Sequence, residues 1–263
     1  MNKLIYLFPV VLFLFYTGCS NDNSTGPALN KNGELKLTMV DSPANYDAVN
    51  IVVTRVEVHT ANDTSGWVVV NPVPRTYDLL QLVNGASVVL GDTSLAPGHY
   101  TQIRLIIGDS SNVVVNGVPF PLIIPSGIQT GIKLNHEFDI TAGNLYEMLL
   151  DFNADRSIHL NGTGQYILNP VIRVEPVVTS GSISGQALPL DADAQISTLV
   201  GTDTVSTAPN SGGFFSLMTL PAGTYNVVIA PNNLAYQDTT ISNVQVTAGN
   251  DTNIGVITLT QQY

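Results

Sequence analysis

The sequence predicts an all-β protein made of two Greek-key β-sandwich domains. Two similar segments, Leu95-Ala-Pro-Gly-His-Tyr100 and Leu220-Pro-Ala-Gly-Thr-Tyr225, each place a turn before a tyrosine and an apolar strand. Both resemble the tyrosine corner of β-sandwiches, in which the phenol hydroxyl bonds to a nearby backbone group. The composition agrees, because 11% charged residues with 22 Gly and 15 Pro are typical of short strands joined by turns. We therefore expect Tyr100 and Tyr225 to be structural corner residues.

Apolar and polar residues alternate through most of the chain, as they do in half-buried strands. After Tyr100, Ile103, Leu105 and Ile107 share one face. In the segment from Asn50 to His59, we expect Val52, Thr54, Val56 and Val58 to point inward and Arg55, Glu57 and His59 outward. Residues 77–83 could form either one helical turn or a strand, and no segment has a convincing helical pattern.

The charge balance argues against one class of partner. The formal net charge is −11. A surface this acidic repels phosphate backbones, so a nucleic-acid partner is not expected.

The N-terminus has the features of a cleaved signal peptide. Lys3 provides a positive charge, Leu4 to Tyr16 are apolar, and Tyr16-Thr-Gly-Cys19 is a small-residue cleavage site. The alternative is a membrane-spanning anchor, but an apolar segment of 13 residues that contains Pro9 is shorter than the ~20 that a span needs. We predict a signal peptide at 1–18 and a polar tether at 19–32 that cannot form a core.

This arrangement resembles a bacterial lipoprotein signal. The resemblance implies that Cys19 becomes the acylated first residue of the mature chain, with palmitate among its acyl groups, and that it anchors the chain to a membrane. Ser20, directly after Cys19, resembles the pattern of lipoproteins that are sorted to the outer membrane. We therefore expect a lipid-anchored protein of the bacterial cell envelope.

Residues 33–178 resemble the domain of unknown function family 4382. The resemblance is carried by a series of motifs in order, among them Leu37-Thr-Met-Val-Asp-Ser-Pro43, Asp78-Leu-Leu, Pro97-Gly-x-Tyr100 and Leu150-Asp-Phe-Asn-Ala-Asp-Arg-Ser157. The family occurs in bacterial lipoproteins, and the resemblance implies no particular chemistry.

Residues 180–263 resemble a carboxypeptidase-regulatory-like domain. The motifs are Gly181-Ser-Ile-Ser-Gly-Gln, Gly212-Gly-Phe-Phe-Ser-Leu and the second corner at Leu220 to Tyr225. The resemblance implies a transthyretin-like sandwich of seven strands, related to carbohydrate-binding-like folds. The connection at Val178 to Gly181 is short, so we expect the two domains to touch.

Motifs for catalysis are weak. Gly108-Asp-Ser-Ser111 resembles the nucleophile block of GDS-type hydrolases, but no helix pattern follows it and no histidine has an aspartate three residues before it. A nucleophile needs an oriented base, so a polar turn is the favoured interpretation and we predict no enzyme. The scattered histidines and the single cysteine do not match a zinc site.

One segment could bind a cation. Asp151, Asn153 and Asp155 alternate at the end of a predicted strand, which would place three oxygen ligands on one side for Ca²⁺. Arg156 and Gly162 occupy positions where a calcium loop has Gly and a bidentate Glu. A turn that ends the strand is therefore the favoured alternative, and no cofactor is predicted beyond this weak calcium candidate.

Two aromatic residues are candidates for stacking on sugar rings. Trp67 lies within an alternating segment, so burial inside the sandwich is the favoured alternative to ligand contact. Tyr236 follows Asn232 and Asn233 in a predicted loop and is the freer candidate.

Taken together, these features predict a non-enzymatic, membrane-anchored envelope lipoprotein that acts as a binding or scaffold module. Carbohydrate, bound by the second domain or the cleft between domains, is the first choice of ligand. The alternative is a structural adhesin or surface-assembly subunit that binds protein partners through exposed strand edges. An envelope hydrolase is the third hypothesis.

Overall fold

The computed structural model describes residues 32–61, 66–125 and 131–262, which form one compact unit. Strands make up nearly all of its regular structure, arranged as two sandwiches, and this confirms the all-β prediction. Cys19, the predicted signal peptide and the predicted tether up to Lys31 lie outside the described residues.

The first sandwich comprises thirteen strands and three short helical or 3₁₀ segments. A 3₁₀ turn at Leu79–Gln81 follows β4, a short helix α1 at Ala154–Ser157 follows β10, and a 3₁₀ turn at Val177–Thr179 leads to the second sandwich. The strands are β1 (Gly33–Ser42), β2 (Ala48–Thr60), β3 (Trp67–Asn71), β4 (Arg75–Asp78), β5 (Val88–Leu95), β6 (Gly98–Ile107), β7 (Asn112–Val115), β8 (Val118–Ile123), β9 (Ile132–Ile140), β10 (Leu145–Asn153), β11 (Ile158–Leu160), β12 (Tyr166–Leu168) and β13 (Ile172–Pro176).

Two sheets face each other in this sandwich. One has the order β13-β10-β1-β5, with β1 parallel to β10. The other has the order β11-β12-β8-β7-β2-β6-β9. The strands β3 and β4 pair with the edge of β2 that is opposite β6. Their inner faces enclose an apolar core to which Leu37, Ile51, Ile103 and Phe152 contribute.

The predicted alternation is correct in β6 but shifts within β2. Ile51 and Val53 point into the core in the first half of β2, and Val56 and Val58 do so in the second half. The expectation that Val52 and Thr54 point inward was therefore wrong. Between Val53 and Arg55 the register against β6 shifts by one residue. The residues of β2 before the shift therefore point to the opposite side from the one that unbroken alternation would give.

The second sandwich has seven strands: β14 (Ser180–Leu188), β15 (Ala194–Val200), β16 (Asp203–Thr207), β17 (Phe214–Pro221), β18 (Gly223–Pro231), β19 (Thr239–Val246) and β20 (Asp251–Thr258). A 3₁₀ turn at Leu190–Ala192 connects β14 to β15. The sheets have the orders β17-β14-β20 and β16-β15-β18-β19. They enclose a separate apolar core to which Ile183, Ile196, Phe215 and Val227 contribute.

The ambiguous segment at 77–83 contains both predicted alternatives, because β4 ends at Asp78 and the 3₁₀ turn follows directly. The Asp78 carboxylate accepts a hydrogen bond from the Leu80 amide and so caps that turn. Within the described residues, no helix has the length and apolar character needed to cross a membrane.

Candidate functional site

The two predicted corner tyrosines lie at the start of corresponding strands. Tyr100 is buried, and its hydroxyl donates a hydrogen bond to the Ala96 carbonyl at 2.9 Å. The Tyr225 hydroxyl donates to the Pro221 carbonyl at 2.7 Å. Burial raises the pKa of both phenols, so each remains a donor at neutral pH. Each side chain therefore stabilises its turn, and each hydroxyl has a hydrogen-bond acceptor within the protein.

The two sandwiches meet at a buried polar cluster centred on Arg173 of β13. Arg173 lies opposite Asp151 of β10, and its Nη2 donates to the Asp151 Oδ2 at 2.9 Å. Its Nη1 crosses to the second sandwich and donates to the Thr219 carbonyl at 2.8 Å, and Nη2 also contacts the Thr219 hydroxyl. One guanidinium therefore joins both sandwiches through nearly fully buried partners.

Thr219 has an unusual backbone in this cluster. It is 1% exposed and adopts a φ of 59°, in the left-handed region that β-branched residues rarely occupy. Its hydroxyl lies 3.0 Å from the Asp151 Oδ2. Because surrounding contacts must hold such a conformation, the interface with Arg173 and Asp151 is part of what fixes β17.

A second buried carboxylate, Asp41, lies near this interface. Its Oδ1 accepts a hydrogen bond from the Ala154 amide at 3.0 Å, and its Oδ2 is buried without a hydrogen-bond partner. Burial raises the pKa of Asp41 from 3.8 to about 9, and the nearby Asp151 and Asp78 carboxylates add to the rise. Burial likewise raises the pKa of Asp151, while Arg173 opposes that rise.

The structure does not bring the three calcium candidates into one ligand set. Asp151 is paired with Arg173, Asn153 caps α1 by accepting from the Arg156 amide at 2.9 Å, and Asp155 lies exposed on α1. The strand-end arrangement was wrong at Asp155, because the chain turns into a helix after Asn153. The favoured alternative, a structure that ends the strand, agrees with the observed helix.

Tyr236 is a core residue rather than a free loop aromatic. It is 6% exposed, and its hydroxyl donates to the Asp191 Oδ2 at 2.9 Å. The backbone of Tyr236 also forms an isolated bridge to Gln261. The loop containing Asn233 folds back onto the 3₁₀ turn before β15, so the expectation that Tyr236 is a free loop residue was wrong.

Trp67 lies on the solvent side of the larger sheet, so the interpretation that it is buried inside the sandwich was also wrong. It pairs with His59 across β3 and β2, and the two rings are 4.9 Å apart. The Arg104 guanidinium lies 3.8 Å from the ring centroid, and the Lys133 ammonium lies 6.0 Å from it. The indole ring is half-buried beside these two cations.

The four-stranded sheet of the second sandwich carries an open concavity of about 690 Å³. This volume lies in the usual range for ligand sites. Every residue that lines it is uncharged, and Leu199 is 64% exposed there. The lining residues are Ser197, Thr198, Leu199, Gly201, Thr204, Gly223, Thr224, Tyr225, Asn226, Val228 and Thr240.

The Gly108–Ser111 segment forms the turn between β6 and β7. Ser111 is buried, its hydroxyl donates to the Gly108 carbonyl at 2.8 Å, and its oxygen accepts from the Val52 amide at 3.0 Å. The exposed Ser110 hydroxyl lies 3.4 Å from its neighbour Asp109. Both serines thus form hydrogen bonds within a polar turn.

Sequence reasoning did not identify Arg104, Lys133, Arg173 or Asp41 as notable residues. Arg104 and Lys133 become neighbours only through the pairing of β6 with β9. Arg173 reaches Thr219 across 46 positions of sequence.

One signal in the sequence could have identified Asp41. It continues the alternating series of apolar residues Leu35, Leu37 and Met39, and this period of two indicates that its side chain is buried.

The solved structures that resemble the chain do so distantly. Two are mutants of a type II cohesin–X-dockerin complex from Acetivibrio cellulolyticus, each with 26% identity over 31% of this chain and a TM-score of 0.25. The match spans 64% and 58% of those chains, which is less than two thirds of their length. The shaft pilin SpaA from Lactobacillus rhamnosus GG has 10% identity, with 89% of this chain and 98% of the pilin covered, and a TM-score of 0.24. At such low TM-scores, no conclusion about function follows.

The sequence family gives a clearer result. No curated protein matches the chain significantly. The model of the family described as domain of unknown function (DUF4382) matches residues 32–170, which is more than half of the chain. This range includes β1 to β12 of the first sandwich. The chain therefore belongs to the DUF4382 family.

Proposed function

We propose that this protein is a non-enzymatic, lipid-anchored envelope protein whose two sandwiches form a binding or scaffold module for saccharide. The anchor would be Cys19 at the outer membrane, as the signal at residues 1–18 indicates. The Arg173 cluster supports the scaffold part, because Arg173 is paired with Asp151 of its own sandwich and donates a buried hydrogen bond to the Thr219 carbonyl of the other. The seven strands of residues 180–263 support a transthyretin-like second domain.

The uncharged concavity of the second sandwich carries the saccharide proposal. The eleven residues that line it include no Asp, Glu, Lys, Arg or His, although the chain as a whole has a net charge of −11. Hydroxyl groups of Ser197, Thr224 and Thr240 can donate and accept, as the hydroxyls of a sugar do. Leu199 and Val228 supply apolar surface for the C–H faces of the sugar ring.

A neutral ligand fits this surface better than a charged one. A charged ligand would lose hydration without gaining an ionic partner, which is costly. A neutral saccharide exchanges its water hydrogen bonds for bonds to hydroxyl and amide groups of similar strength. Since the concavity is open rather than enclosed, we expect weak affinity that many contacts along a polymer would strengthen.

The proposal that the protein is not an enzyme rests on how the polar groups are used. The Ser111 hydroxyl is committed to the turn, and His59 contacts Thr101 and Trp67. His99 contacts Asp139 at 2.9 Å on an exposed strand pair. His99 lies at the start of β6 and Ser111 in the turn after its end, roughly 30 Å away along the strand, so the two do not form a nucleophile–base pair.

Saccharide binding is tested by placing a charge in the concavity. We expect Leu199→Asp in the fragment from Ser20 to Tyr263 to abolish retention on immobilised neutral polysaccharides, since the ligand would then cover an unpaired carboxylate. Leu160→Asp is the matched control, because Leu160 is 61% exposed and Leu199 is 64% exposed. Equal loss in both variants, or no retention of the wild type on a broad glycan panel, would contradict the proposal and favour the surface-assembly alternative.

The anchor is tested separately with the full-length chain. We expect wild-type protein to sediment with outer membranes and to incorporate labelled palmitate, whereas Cys19→Ala incorporates none, because Cys19 is the single thiol of the chain. Incorporation of label into the Cys19→Ala variant would contradict lipidation at this residue.

A further inference from the structure

A basic and aromatic surface lies on the solvent face of the first sandwich. Cross-strand pairing across β2, β6 and β9 aligns Glu57, Arg104 and Lys133 in one row. The adjacent row contains Trp67, His59, Gln102 and Asn135, from β3, β2, β6 and β9. We call these two rows, together with Arg55, the Trp67 face.

The charge on the Trp67 face has the opposite sign to that of the whole chain. The chain has only nine Lys and Arg residues against twenty Asp and Glu, and three of the nine, Arg55, Arg104 and Lys133, lie here. Glu57 is the one carboxylate between them, and its side chain is 5% exposed. The face therefore presents a net positive charge to solvent, and its carboxylate is covered.

Glu57 organises the two guanidinium groups beside it. Its Oε2 accepts from the Arg104 Nε at 2.6 Å and also contacts the Arg104 Nη2, and its Oε1 lies 2.9 Å from the Arg55 Nε. Arg104 is held a second time by the Trp67 ring, and its side chain is only 18% exposed. Glu57 also holds Arg55, whose side chain is 48% exposed, and a cation that is held in place loses less freedom when it binds an anion, which favours recognition.

Spacing limits the kind of anion that fits. Neighbouring strands are about 4.8 Å apart, so Arg55 on β2 and Lys133 on β9 are separated by roughly 10 Å across the strands and by one row, roughly 7 Å, along them. Gln102 and Asn135 lie in the row on the other side of Arg104 and Lys133 from Arg55, and their amide groups are 2.8 Å from each other. The groups that surround the cations are thus hydrogen-bonding amides and an aromatic ring.

We propose that the Trp67 face binds an acidic polysaccharide, whose carboxylate groups meet Arg55 and Lys133 while its hydroxyls meet Gln102 and Asn135. Half-buried Trp67 offers aromatic surface to the sugar ring. Nucleic acid fits less well, because a chain of net charge −11 repels a polymer with one charge per ~1.7 Å. This face lies on the first sandwich, whereas the uncharged concavity lies on the second, so the two sites take different ligands independently.

Acidic residues mark where the face ends. Glu137 and Asp139 lie further along β9, where Asp139 contacts His99 at 2.9 Å. Along the strand, Lys133 is roughly 13 Å from Glu137 and roughly 20 Å from Asp139. A bound acidic chain is therefore expected to run across the strands near Lys133 rather than along β9 toward Asp139.

The test compares two double variants of the Ser20–Tyr263 fragment that remove the same number of positive charges. We expect Arg55→Gln with Lys133→Gln to weaken binding to polygalacturonate about tenfold or more, because two exposed ionic contacts are lost. Lys36→Gln with Arg156→Gln is the control and is expected to bind as the wild type does, since both residues lie outside the Trp67 face. Binding should weaken as salt increases.

Further variants and further ligands distinguish this proposal from its alternatives. Trp67→Ala is expected to weaken polygalacturonate binding as well, while Leu199→Asp leaves it unchanged. Thermal unfolding of each variant verifies that the fold is kept. Equal loss in both double variants, or binding to anionic vesicles or single-stranded oligonucleotides without binding to polygalacturonate, would overturn the proposal and leave the neutral-saccharide site untouched.

Discussion

Replacing Arg173 by Met is expected to lower the free energy of unfolding by about 3–5 kcal/mol. The change keeps an unbranched side chain but removes the guanidinium that pairs with Asp151 and donates to the Thr219 carbonyl. Asp151 is 8% exposed, so it must then take up a proton or remain as a buried unpaired charge. Urea unfolding followed by circular dichroism gives the free energy, and the single tryptophan, Trp67, reports separately on the first sandwich.

The matched control is Arg156→Met, because Arg156 also connects the two sandwiches, in its case through an ion pair. Its partner is Asp203 at 3.2 Å, and both side chains are 49% exposed. We expect a loss of about 1 kcal/mol or less, since exposed ion pairs contribute little. If the two variants lost equal stability, burial would not be what makes the Arg173 cluster important. If Arg173→Met unfolded in two steps, the cluster would also be shown to couple the sandwiches.

The sequence predicted those parts of the fold that local patterns determine. Tyr100 and Tyr225 were identified because the turn, the tyrosine and its backbone acceptor lie within a few residues of each other. The alternation in β6 correctly placed Ile103, Leu105 and Ile107 in the core. The same rule failed in β2, where the register against β6 shifts by one residue and the apolar run Ile51-Val52-Val53 is compatible with either facing.

Candidate site residues were harder to predict because their environment depends on contacts that are distant in sequence. Trp67 begins a continuous apolar run, Trp67 to Val70, whose pattern does not distinguish the two faces of the strand. Only the pairing of β3 with β2 decides that it faces solvent beside His59. Tyr236 follows two asparagines that are typical of an exposed loop, yet the loop folds back to bond Asp191. A polar segment does not itself show whether its aromatic residue is covered.

Asp41→Asn is expected to remove much of the dependence of stability on pH. The folded-state pKa of Asp41 is raised from 3.8 to about 9, so between these values the folded chain holds a proton that the unfolded chain has lost. The contribution of Asp41 to the free energy of unfolding is therefore fully present below about pH 4. It decreases as the pH rises toward 9, by up to ~1.4 kcal/mol per pH unit. Asparagine keeps the oxygen that accepts from the Ala154 amide but cannot ionise.

We therefore expect the Asp41→Asn variant to match the wild type near pH 4 and to exceed it by several kcal/mol at pH 8, as measured by urea unfolding across this range. Asp109→Asn is the control, since Asp109 lies in an exposed turn and should leave the pH profile unchanged. Asp151 contributes a slope of the same sign, because its pKa is also raised by burial, and that slope remains in the variant. Parallel profiles for Asp41→Asn and the wild type would mean that Asp41 is ionised in the folded chain, and its buried Oδ2 would then need a cationic or hydrogen-bonding partner.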